Sequence, residues 1–131
     1  LDDEAADIRG IELASPELVE KMRRKGRVIE FAEAGSEALR YLDTMKANAN
    51  VGGELLTNIL IRGDVRTIEI WEEFLHGTQK KCGLIDDSVA TTSAEIHVKR
   101  FMIQHRRMIG ISEEDSSLLE RMAVAIESTG Q

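Results

Sequence analysis

The chain has 131 residues and 14.6 kDa, enough for one domain and too little for two independent cores. Hydrophobic residues make up 42% and charged residues 31%, an ordinary folded composition that excludes intrinsic disorder as a description of the whole. No apolar run approaches the roughly 20 residues of a membrane span, so no membrane partner is expected, and no signal-peptide pattern opens the chain. It starts at Leu1, not Met, which suggests a segment of a longer polypeptide. The single cysteine, Cys82, rules out an internal disulfide framework and points to a reducing, cytoplasmic setting. Net charge is −7, but its distribution matters more. Residues 1–20 carry seven acids against Arg9, and residues 21–27 then carry five positive charges and no acid. Charge separated this sharply can steer a partner of either sign.

In chain order, one proline and ten glycines predict helices punctuated by glycine stops. Ser15-Pro16 has the chemistry of a helix start, and Gly26 that of its end. A short second helix is expected over 27–34, ending at Gly35, and Ser36 caps a third with Leu39, Leu42 and Met45 on one stripe. The stretch 46–53 is the clearest loop. A fourth helix is expected to carry Leu55, Leu56, Ile59 and Leu60 on one face and to stop at Gly63. Asp64 then caps a fifth, with Ile68, Ile70, Trp71, Phe74 and Leu75 on the apolar side, Glu69, Glu72 and Glu73 opposite, and Gly77 closing it. Leu84-Ile85 is a short helix or a buried crossing. Thr92-x-x-Glu95 has capping-box spacing for a helix of about fifteen residues. Ser112 opens the last helix, where Leu118, Leu119, Met122 and Ile126 align. No alternation of period two over strand length appears, so the expected class is all-α.

Catalytic signatures are missing from this pattern. His76, His97 and His105 are scattered singly, without HExxH or CxxC spacing, and no nucleophile-elbow, phosphate-loop or dinucleotide motif occurs. The expectation is a non-enzyme without cofactor or metal. Arg62-Gly63-Asp64 spells an adhesion tripeptide, but a helix stop followed by a helix cap accounts for it.

The stretches 28–42 and 53–78 resemble caspase recruitment domains of the death-fold superfamily. Phe31-Ala32-Glu33-Ala34-Gly35, Leu55-Leu56, Leu60, Arg62-Gly63, Ile68, Trp71 and Leu75 sit where that family's pattern of core positions and helix stops wants them, over about residues 15–85. The resemblance implies a compact antiparallel helical bundle, death-fold-like over 1–91; residues 92–131 are expected to add a two-helix extension packed on it, for six to eight helices in one domain. It further implies a non-catalytic module that assembles cytoplasmic signalling complexes of the apoptosis or innate-immunity type, its partner a protein, either a second copy or a related helical domain. The candidate partner-binding residues are the basic Lys21, Arg23, Arg24, Lys25 and Arg27 and the acidic Glu69, Glu72 and Glu73, two patches that could meet head to tail. The alternative is a nucleic-acid-associated or viral nucleocapsid or polymerase cofactor domain, whose phosphate-binding residues would be Lys99, Arg100, Arg106 and Arg107.

Overall fold

A computed structural model of the chain describes residues 9–52, 58–81 and 92–129. In order these form α1 (Pro16–Arg24), β1 (Val28–Phe31), α2 (Glu37–Met45), β2 (Ala49–Gly52), β3 (Asn58–Ile61), α3 (Thr67–Lys81), α4 (Thr92–Gln104), α5 (Arg106–Ile109) and α6 (Glu113–Thr129). The three strands make one mixed sheet in the order β1-β3-β2, with β1 parallel to β3 and β2 antiparallel to it.

The all-α expectation is therefore corrected: helices dominate, but the architecture is mixed α/β, and the antiparallel bundle implied by the resemblance is replaced by helices packed around a small sheet. Two apolar runs carried the mistake. Residues 28–31, expected within a helix, form β1, and the Ile59 and Leu60 of the expected fourth helix lie in β3, while Leu55 and Leu56 fall outside the described residues. Over four residues, spacings of 2 and 3.6 cannot be told apart, and the content of Val, Ile and Phe should have decided for strand. The expected loop 46–53 contains β2, whose sequence Ala-Asn-Val-Gly has little strand preference of its own. It is extended because β3 pairs with it, in the register Ala49 with Ile61 and Val51 with Ile59.

The helix caps are legible where a hydroxyl supplies them. Ser15 Oγ accepts from Leu18 N–H, Ser36 Oγ from Leu39 N–H and Ser112 Oγ from Asp115 N–H, each at 3.1 Å. Asp64 does not cap α3. That helix starts three residues later, and Glu69 in its first turn reaches back to the N–H of Arg66 at 2.8 Å. Nor does Gly77 close it: the helix runs through this buried glycine to Lys81. The expected helix from Thr92 ends at Gln104, and a separate short turn, α5, follows. Leu84-Ile85, Cys82 and the acidic lead up to Ile8 lie outside the described residues.

One core joins sheet and helices. Ile29, Val51, Ile59 and Ile61 from the strands meet Val19 and Met22 of α1, Ile68, Ile70 and Trp71 of α3, Val98 and Met102 of α4, and Leu118 and Leu119 of α6. Trp71 is 5% exposed and packs edge-on against Phe74, with ring centroids 5.3 Å apart. Residues 9–14 form a strap across the helices. Gly10 holds φ +102°, and a Cβ there would lie 2.8 Å from Ile68 Cγ1, so only glycine lets the strap approach α3 this closely. Asp115, fully buried at the start of α6, accepts from the N–H groups of Ile11 at 2.7 Å and Glu12 at 3.2 Å.

Candidate functional site

The predicted acidic face is taken up inside the molecule. Glu69, Glu72 and Glu73 recur at helical spacing along α3 and line a cleft of about 250 Å³ together with Arg9, Asn48 and Lys99. Glu69 accepts from Arg9 Nε at 3.0 Å, from Asn48 Nδ2 at 3.0 Å and from the Arg66 N–H. Glu72 pairs with Lys99 Nζ at 3.2 Å, and Lys99 is only 5% exposed. Glu73 accepts from the main-chain N–H of Val51, and its carboxyl is pushed up to about 8, first by desolvation and then by the charge of Glu72. The cleft brings together the three α3 acids and Lys99, expected on separate surfaces, and engages each in a bond that ties helix to helix, strap or strand.

The basic residues divide in the same way. Arg27 is buried, with its guanidinium 4.4 Å from the Phe74 ring centroid and donating to the Phe74 carbonyl and Thr78 Oγ1. Desolvation holds its pKa below the usual guanidinium value. Arg23 pairs with Glu20 at 2.8 Å and donates to the Ile29 carbonyl at 2.7 Å. Arg100 is paired with Glu120 and Glu127, and Arg106 donates to the Ile111 carbonyl. Lys21, Arg24, Lys25 and Arg107 are exposed, and no ion pair among the described residues uses them. The tripeptide Arg62-Gly63-Asp64 is likewise engaged internally, Arg62 with Asp43 and Asp64 with Arg9.

A second depression opens beside α1. A groove of about 240 Å³ runs between α1 and the end of β1, lined by Pro16, Val19, Glu20 and Arg23 on one side and by Phe31 and Val65 on the other. Phe31 is 47% exposed and Val28 50% exposed. The Ala32 N–H donates to the Ile61 carbonyl at 2.8 Å, so the main-chain groups of Glu30 and Ala32 face β3. By alternation those of Ile29 and Phe31 face the open edge of the sheet, where Arg23 already holds the Ile29 carbonyl. Phe31 thus presents ring and backbone together at the groove.

Among the described residues no three His, Cys, Asp or Glu side chains converge as metal ligands, and no helix is long and apolar enough to cross a membrane. Comparison with protein-family models, curated proteins and solved structures gives no match. Of the groove residues, Arg23 was expected in the basic patch, and Phe31 was expected within a helix. The signal for Phe31 was present in Val-Ile-Glu-Phe, a strand-like run with its aromatic at the end. Nothing local signals Arg9 or Asn48, whose roles depend on Glu69 being 60 and 21 residues away.

Proposed function

We propose that this chain is a non-catalytic protein–protein interaction module that associates through the α1–β1 face, with a second copy of the chain as its partner. The observation that supports it is the groove beside Phe31, where a half-exposed aromatic ring and an open strand edge meet α1, with the exposed Lys21, Arg24 and Lys25 along or just after that helix. Single exposed apolar residues are ordinary, but a ring at the mouth of an apolar groove is what a docking side chain needs. The acids that could answer the cations are Glu113 and Glu114, both exposed at the start of α6. They take the part first given to the α3 acids, which are occupied within the cleft. A contact between α1 of one copy and α6 of the next is head to tail. Its setting is cytoplasmic, in keeping with a single cysteine.

The nucleic-acid reading is weakened by the enclosure of Lys99 and the pairing of Arg100. Sedimentation velocity across a concentration series tests both. The expected result is reversible association that Phe31→Asp or Arg24→Glu abolishes without loss of helix signal, and that Glu113→Lys with Glu114→Lys restores in the Arg24→Glu background. A chain that stays monomeric at every concentration overturns the proposal. Unchanged association in Arg24→Glu, combined with lost binding to single-stranded RNA in a salt titration, puts the nucleic-acid reading in its place.

A further inference from the structure

A chain of three polar side chains joins α3 to α4, and the Ala94 carbonyl sets its hydrogen-bond roles. His76 Nδ1 lies 2.9 Å from Gln79 Oε1, and Gln79 Nε2 lies 3.1 Å from the Ala94 carbonyl and 3.2 Å from His97 Nδ1. The Ala94 carbonyl can only accept, so the amide nitrogen of Gln79 must face it. The amide oxygen then faces His76, which must donate from Nδ1. The second amide hydrogen points at His97 Nδ1, which must accept and therefore carries no proton. His76 is the Nδ1–H tautomer and neutral His97 the Nε2–H tautomer.

The two histidines respond differently to a second proton. His76 keeps its Nδ1–H in either charge state, so its bond to Gln79 survives. His97 gains a hydrogen on Nδ1, and two donors then face each other. The amide cannot turn over to relieve this, because its oxygen would meet the Ala94 carbonyl. Gln79 is 4% exposed and His76 5%, whereas His97 is exposed and can take a proton straight from solvent. On α3, Gln79 is flanked by His76 and followed by Lys80; on α4, Arg100 lies one turn from His97 and is paired with Glu120. No described carboxylate pairs with His97. Beside the chain is a pocket of about 180 Å³ whose other walls are Leu75, Thr78, Val98 and Phe101, so the freed amide hydrogen would face mainly apolar side chains.

We propose that Gln79 makes the α3–α4 contact conditional on the charge of His97: the neutral ring accepts from Gln79, the doubly protonated ring cannot, and the start of α4 loosens as pH falls. This device is independent of the assembly surface at Phe31. Long-range ¹⁵N–¹H spectra of the full chain at pH 8 should show Nδ1–H at His76 and Nε2–H at His97, and an Nδ1–H ring at His97 overturns the assignment. Amide hydrogen exchange, corrected for intrinsic rate and referenced to α1, should lose about five-fold of its protection in the first turns of α4 between pH 8 and pH 5, the effect of one hydrogen bond. His97→Gln offers a pH-invariant acceptor at an exposed position and should remove that loss. An equal loss in His97→Gln, or none in the unmodified chain, overturns the proposal.

Discussion

The carboxyl of Glu73 accepts the main-chain N–H of Val51 at 3.1 Å and so closes the free edge of β2. Arg62 N–H donates to the Asn48 carbonyl, which by alternation turns the polar groups of Ala49 and Val51 away from β3. On the opposite edge Arg23 holds the carbonyl of Ile29. One side chain thus engages a main-chain group on each outer edge of the small sheet.

Glu73 makes this closure depend on pH. Its folded-state pKa of about 8 lies above that of the unfolded chain, so between roughly pH 4.5 and 8 the folded protein keeps a proton that the unfolded one has released. Stability should fall as pH rises through that window and level off above it. Glu73→Gln keeps an acceptor for Val51 and does not titrate, so urea unfolding at pH 5, 6.5 and 8 should show a smaller decline than in the parent chain. Parallel declines would show that the carboxyl is not held protonated.

Asp115 should be far less replaceable than its sequence neighbours. Asp115→Ala strands two main-chain donors, those of Ile11 and Glu12, and should cost about 3 kcal/mol in equilibrium unfolding. Asp115→Asn keeps one acceptor and should cost less. Glu113→Ala and Glu114→Ala, at exposed positions two residues and one residue earlier, should change stability by no more than about 0.5 kcal/mol.

Arg27 separates a surface role from an interior one. Its guanidinium is buried over Phe74, its Nε has no hydrogen-bond partner, and Thr78 Oγ1 also donates to the Phe74 carbonyl at 3.2 Å. A buried charge of this kind can be exchanged for a hydrophobic side chain of similar volume at little cost. Arg27→Met should therefore shift unfolding by less than about 1 kcal/mol and leave sedimentation unchanged. Loss of association in Arg27→Met would place this residue at the contact surface instead.

What could be read from the sequence was what local chemistry determines. Ser15, Ser36 and Ser112 cap helices because a hydroxyl three residues before an N–H is a local geometry, and the apolar face of α3 put Trp71 in the core. The sheet escaped notice because its strands are four residues long and β2 becomes extended only when β3 lies beside it. The acids of α3 looked like a solvent-facing stripe because their opposing charges come from elsewhere: Lys99 is 27 residues from Glu72, and Arg9 60 from Glu69. Likewise the run 21–27 reads as one basic patch, yet the turn at Gly26 sends Arg27 inward while Lys21, Arg24 and Lys25 stay in solvent.

The tie between Ile11 and Asp115 spans 104 positions, which bears on how the polypeptide emerges from the ribosome. The strap over 9–14 is made first, yet the carboxylate that satisfies its two donors belongs to the last helix. Until α6 has left the exit tunnel, the donors of Ile11 and Glu12 can bond only to water, and Leu118 and Leu119 have not yet covered their side of the core. The nascent chain can build the sheet and α3 early, from contacts of shorter range, but the belt between residues 9–14 and α6 closes only after Asp115 has emerged. Ribosome-bound chains halted before Asp115 should therefore be open to proteolysis near Ile11, and chains in which α6 has emerged should resist it.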